Sequence, residues 1–127
     1  MRVTYRLATN TLASVAAEAA WAENMGYDSM SSNETAHDSF LPLALAATST
    51  TRVKLETRVA IAFPRSPMIT AYLARDLHDL SNGRFRLGLG TQVKGHIQRR
   101  FRLRPHGGMA YRGRPTKTSA QEFYSDR

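Results

Sequence analysis

Residues 53–90, VKLETRVAIAFPRSPMITAYLARDLHDLSNGRFRLGLG, decide the fold. Val53 to Ala62 is rich in β-branched and apolar residues and reads as a strand. Ser66 and Pro67 follow as a helix cap and a first-turn proline, and Ile69, Leu73, Leu77 and Leu80 recur at helical spacing until Asn82-Gly83 ends them. Phe85, Leu87 and Leu89 then alternate with Arg86, Gly88 and Gly90, the period of two that marks a further strand. Two strands joined by a helix of this length are parallel neighbours, because a tight turn can only join antiparallel ones.

The same unit repeats toward the N-terminus. Val3 to Leu7 alternates apolar and polar residues as a short strand, and Thr11 is placed to cap a helix over Leu12 to Met25. Gly26 sits where a left-handed C-terminal residue belongs. Tyr27 to Asn33 occupies the position of a second strand, although three serines leave Met30 as its one apolar residue after Tyr27. Leu41 to Thr48 is a short apolar helix with Pro42 in its first turn.

Strand and helix thus alternate three times before a fourth strand, which implies a parallel sheet covered by helices. A doubly wound nucleotide-binding sheet would want a third glycine after Gly88-Leu89-Gly90, but Thr91, Gln92 and Val93 follow. The reading that remains is an α/β fold comprising about half of a TIM-type β/α barrel, whose full form takes eight repeats. An open half barrel leaves strand edges unpaired and inner faces exposed, so a homodimer or aggregation is its expected assembly.

Charge and composition exclude several classes. The net charge of +8 is unevenly spread, with nine Lys/Arg against eight Asp/Glu in residues 1–92 and nine against two in residues 93–127. The excess belongs to the tail, and residues 104–127 read as a basic, irregular segment, disordered or unrelated to the domain over residues 1–103, such as a frame-shifted ending would give. Specific nucleic-acid binding through Lys94 to Arg104 is less economical than a solvated basic loop. Without cysteine there is no disulfide, thiolate metal site or cysteine nucleophile. His37, His78, His96 and His106 lack metal-ligand spacing, so no metal is expected. Ser66 lacks the glycines of a nucleophile elbow. The longest apolar run, Leu41 to Ala47, is interrupted by Pro42 and far too short for a bilayer, and no signal-peptide core opens the chain. A cytoplasmic domain acting on a small-molecule substrate, with no membrane association, is the expectation.

In such barrels the chemistry gathers where strands end. Four places qualify: the segment around Thr9, the run Glu34-Thr35-Ala36-His37-Asp38, the stretch Ala60 to Ser66, and Gly90-Thr91-Gln92. Glu34 and His37 are the candidate catalytic pair, a carboxylate beside an imidazole, the side chain suited to proton exchange near neutral pH. The plainer alternative is a capped turn, in which Asp38 or Ser39 caps the next helix and His37 faces solvent.

At these strand ends the residues resemble the luciferase-like family, most closely its deazaflavin (coenzyme F-420) dependent oxidoreductase branch. The resemblance is carried by SNETAHDSFLPLALAATSTTRVKL from residue 32, RVAIAFPRSPMITAYLARDL from residue 58 and SNGRFRLGLGTQVKGHIQRRF from residue 81. It implies a relative at least about twice this length, truncated here, and hydride transfer between a reduced deazaflavin and an organic substrate. An FMN-dependent monooxygenase is the alternative within the enzymes, and a catalytically inactive fragment with at most an interaction role is the alternative outside them. The resemblance further implies that Glu34 to His37, with Thr35, border the flavin ring, that Ala60, Ile61 and Ala62 form the bulge beneath it, and that Gly90 and Thr91 line the same pocket. Relatives commonly have small residues where this chain has Glu56 and Arg58, so these two charges need partners.

Overall fold

The computed structural model describes residues 1–8, 11–35 and 37–93. Strand β1 spans Thr4–Arg6, and a 3-10 turn over Leu12–Ser14 leads into helix α1, Val15–Asn24. Then come β2 (Ser29–Ser32), α2 (Leu41–Ser49), β3 (Lys54–Thr57), β4 (Ala60–Ile61), α3 (Pro67–Leu80), β5 (Phe85–Arg86) and β6 (Leu89–Gly90). All of these lie in one unit, Met1–Gly90, while a second unit runs from Thr91 to Arg127. The expectations for Thr9, Ala36, the basic run from Lys94 and the tail at 104–127 lie outside the described residues.

Every strand pair is parallel, as the strand-helix alternation predicts, and the main sheet has the order β1-β2-β3-β5. Two of the expected strands are broken in the middle. The third stops at Thr57, passes through a cis peptide at Arg58–Val59 and resumes as β4, while the fourth is split into β5 and β6 at Leu87–Gly88. The two second segments pair with each other, Ala60 opposite Leu89 and Ile61 opposite Gly90. Gly88 sits at the break because a Cβ there would lie 2.2 Å from the Thr57 carbonyl oxygen. In its place the Thr57 hydroxyl accepts from the Gly88 amide and donates to its carbonyl, both at 2.8 Å. Thus the fold contains four consecutive barrel-type strands, two of them jointed near their C-terminal ends.

The ladder sorts side chains by row. Tyr5, Met30, Leu55 and Phe85 are cross-strand neighbours, and all four pack into the apolar core. From the helices come Val15, Ala19 and Ala22 of α1, Leu43, Ala46 and Ala47 of α2, and Leu77 of α3. Alternate rows must face the other way. They hold Thr4, Ser29 and Lys54 in one row and Arg6, Ser31, Glu56 and Arg86 in the next. The face away from the core is therefore polar and charged, not apolar. This also explains the serine-rich second strand, since Ser29 and Ser31 stand on that face while Met30 carries the core side.

Local sequence signals are honoured in part. Gly26 and Gly83 adopt positive φ values of 87° and 77°, and Pro67 opens α3 as predicted. Thr11 and Ser66 precede their helices without a side-chain cap bond. The apolar stripe of α3 is rotated from the one its leucines suggest. Thr70 and Leu77 are buried and Leu73 and Ala74 partly so, whereas Ile69 and Leu80 remain about half exposed. Glu56 and Arg58 find each other across 3.4 Å.

Two side chains brace the N-terminal ends of the strands. Arg84 donates to the carbonyls of Ser81, Ala47, Thr50 and Val53 and to the Thr50 hydroxyl, at 2.7–3.0 Å, using all five of its N–H groups. Glu23, at the end of α1, accepts from the backbone amides of Thr51, Arg52 and Val53. Partial burial pushes its carboxyl up, but the three amides and the Arg52 charge outweigh that and hold it at about 2, against 4.5 for the free group. A carboxyl with a lowered folded pKa stabilises the fold above its unfolded value and loses that contribution as pH falls. Accordingly, Glu23→Gln should cost on the order of 1 kcal/mol at neutral pH, given solvent screening. In urea titrations its deficit should shrink between pH 4.5 and about 2, and a deficit constant across that range would contradict the role.

Candidate functional site

The C-terminal ends of the strands converge through a short relay of bonds. Glu34, two residues past β2, accepts the backbone N–H of Ile61 on Oε2 at 2.7 Å. One residue further, the Ala62 amide donates to the Gly90 carbonyl at 2.9 Å, and Ala60 likewise to Gly88 at 2.8 Å. Glu34, the Ala60–Ala62 segment and Gly90 are thus neighbours at one end of the sheet. Gly90 is needed there, because a Cβ would lie 2.4 Å from Cγ2 of Val59.

A partly buried ion cluster joins these strand ends. Nη2 of Arg65 lies 3.0 Å from Oε1 of Glu34 and 2.7 Å from Oδ2 of Asp38, joining the loop after β4 to the loop after β2. The guanidinium also rests 4.9 Å over the Phe40 ring. With Glu34 10% and Arg65 17% exposed, neither charge could stand here alone without a large desolvation cost. Asp38 has a second task. Its Oδ1 accepts the amides of Phe40 and Leu41 at 2.7 and 3.1 Å and so caps the entry to α2. Burial pushes the Asp38 carboxyl up, yet the Arg65 bond and those two amides prevail and hold it below its usual range. For Arg65, burial works against the charge and the two carboxylates more than restore it.

The capped turn and the candidate site are therefore the same structure. Of the residues singled out from sequence, Glu34 sits at the centre, while Thr35 and His37 are exposed on the loop beside it. Ala60 and Ile61 are fully buried, which leaves Ala62 to offer surface on that strand. Thr91 is exposed and begins the second unit, so the cluster is built from the first unit alone. Sequence reasoning missed Arg65. It lay within the flagged stretch Ala60 to Ser66, but its pairing with residues 27 and 31 positions earlier leaves no local pattern.

Arg65 uses Nη2 for both ion pairs, and Nη1 makes no bond among the described residues. These strand ends thus bring together a guanidinium, an anchored carboxylate and two positions with little side-chain bulk, Ala62 and Gly90. That donor set suits a flat heteroaromatic ring with carbonyl oxygens on its edge.

Comparison with known proteins places the chain in a family and a fold. Residues 2–114 match the family described as luciferase-like monooxygenase. Uncharacterised proteins of Mycobacterium tuberculosis and Mycobacterium bovis are 48% identical over 105 residues, covering 83% of this chain and 31% of theirs. Another protein of M. tuberculosis, named provisionally as a coenzyme F-420-dependent oxidoreductase, is 39% identical over 85 residues, 63% of this chain and 24% of its own. Among solved structures, the oxygenating constituent of 3,6-diketocamphane monooxygenase from Pseudomonas putida, in complex with FMN, superposes with a TM-score of 0.70 at 22% identity, over 86% of this chain and 34% of that one. The coenzyme F-420-dependent tetrahydromethanopterin reductase of Methanopyrus kandleri gives 0.69 at 24% identity, over 77% and 29%. Both establish a shared fold, in agreement with the partial TIM-type β/α barrel expected from the sequence. This chain spans about a third of the length of the 48%-identical relatives.

Replacing Arg65 by Met should leave two partly buried carboxylates facing each other. We expect a loss of about 3 kcal/mol at neutral pH in denaturant titrations. The Asp38 carboxyl, followed by carbon NMR, should rise above its ordinary value, so that acidification now stabilises the variant where it weakens the parent. An Asp38 titration unchanged by the substitution would contradict the cluster.

Proposed function

Because the chain belongs to the luciferase-like monooxygenase family, we propose that its strand ends form part of a flavin-type site that transfers hydride between reduced coenzyme F-420 and an organic substrate. The observation that carries this reading is the Glu34 carboxylate, which ties the end of the second strand to the Ile61 amide and to Arg65. Ala62 and Gly90 would lie against the ring, and Nη1 of Arg65 would supply a hydrogen bond to a carbonyl on its edge. When bound, the deazaflavin supplies the hydride. The protein's own part is to fix orientation and to place the exposed His37 imidazole where a proton can be exchanged with substrate. Coenzyme F-420 is preferred over FMN on the strength of the 39%-identical mycobacterial relative, and FMN-dependent monooxygenation is the alternative chemistry on the same scaffold.

A second reading, a chain with no activity of its own, is favoured by the sheet: among the described residues β1 and β5 each pair on one side only. Fluorescence titration of the purified chain with coenzyme F-420 and, separately, FMN distinguishes the two. The enzyme reading predicts micromolar binding of coenzyme F-420, tighter than FMN, and a loss of about tenfold in Arg65→Met, the worth of one charge-assisted bond. A folded chain that binds neither ligand would favour the second reading.

A further inference from the structure

Three aromatic rings meet where α1 crosses the first strand. Tyr5 of β1 lies edge-on to Trp21 of α1, at 5.7 Å between ring centroids, and edge-on to Tyr27 at 5.2 Å, while Trp21 stands 6.5 Å from Tyr27. Edge contacts of this kind are ordinary packing. Two further observations set this cluster apart. Trp21 is 50% exposed, so the group opens to solvent through its indole. The partly buried Tyr5 phenol donates to Oε1 of Glu18 at 2.8 Å, and the same oxygen accepts the Ala8 amide at 2.8 Å. Among the described residues the Tyr27 hydroxyl has no such acceptor. The Glu18 bond, then burial and the Glu18 charge, push the Tyr5 phenol above its usual value, so it is protonated in the resting protein.

We propose that Tyr5 is a redox-active residue, one that receives oxidising equivalents from the surface through Trp21 and releases its proton to Glu18. The inference is independent of the cofactor reading, since none of these residues belongs to the Glu34 cluster. The reactant is a small inorganic radical that reaches the exposed indole, takes one electron from it and is reduced to its anion. Tyr5 then returns one electron to the Trp21 radical cation, while its phenolic proton passes along the existing hydrogen bond to Oε1 of Glu18. The products are neutral Trp21, a neutral Tyr5 phenoxyl radical and a protonated Glu18. A small reductant such as a thiolate supplies one electron to the phenoxyl, Glu18 gives back the proton, and the cluster is restored. Moving proton and electron together avoids a phenol radical cation, whose unpaired charge would be costly in a partly apolar site. Tyr5 has the carboxylate that this requires, so the radical rests there and not on Tyr27.

The full chain carries a single tryptophan, so the first radical formed on an indole can be assigned to Trp21. Azide radicals made by pulse radiolysis oxidise it, and the indolyl absorbance is followed as it gives way to that of phenoxyl. The expected conversion is first order and independent of protein concentration. It should slow about tenfold or more in Tyr5→Phe, and likewise in Glu18→Gln, which still accepts the Ala8 amide but cannot take up a proton. Tyr27→Phe and Tyr72→Phe should change it far less. Should Tyr5→Phe unfold the chain by circular dichroism, Glu18→Gln carries the test, through its slower conversion and its smaller solvent deuterium isotope effect. A rate unchanged in either variant, a rate set by Tyr27, or an indolyl decay that depends on protein concentration would overturn the proposal.

Discussion

A single carboxylate ties together the C-terminal ends of the second and third strands. Glu34 leaves the second strand, accepts the backbone of the third at Ile61, and shares Arg65 with Asp38, which in turn caps α2. Parallel strands need such ties at their ends. Their connections run through helices on the far side, so nothing covalent fixes one strand end against the next. A buried ion cluster adds little net stability compared with apolar packing, but its geometry is specific, and breaking it leaves uncompensated charge. The position of the loops, and of the surface between Ala62 and Gly90, follows from it.

The jointed strands explain how that surface is made. At Thr57 the third strand leaves the main sheet, and its hydroxyl takes over the ladder bond that the Gly88 amide would otherwise lose. Beyond the joint, Ala60 and Ala62 pair with the fourth strand through Gly88 and Gly90. Two glycines stand where a Cβ would strike Thr57 or Val59. The backbone can therefore approach closely at these strand ends, while the core stays filled by Met30, Leu55 and Leu43.

Much of the architecture was legible because it rests on repetition. Strand-helix alternation, Pro67, Gly26 and Asn82-Gly83 each carry a local signal, and each element lies where that signal put it. What was illegible depends on partners far along the chain. No local pattern announces that Arg58–Val59 interrupts a strand, or that Ile69 and Leu80 turn outward while Thr70 turns in. The Ser29–Ser32 strand looked weak for a reason visible only in three dimensions: Ser29 and Ser31 stand on the polar face, opposite the core. Glu34 could be proposed from its place at a strand end, but Arg65 could not be paired with it, since only the folded chain brings residues 34, 38 and 65 together.

The measurement closest to the centre of this account is the amide proton shift of Ile61 as a function of pH. An amide donating to a carboxylate at 2.7 Å feels its ionisation directly. The Ile61 signal should move with the titration of Glu34 and stay protected from exchange, and both properties should be lost in Glu34→Ala. An Ile61 amide that exchanges freely and does not sense the carboxyl would show that the strand ends are not joined in this way.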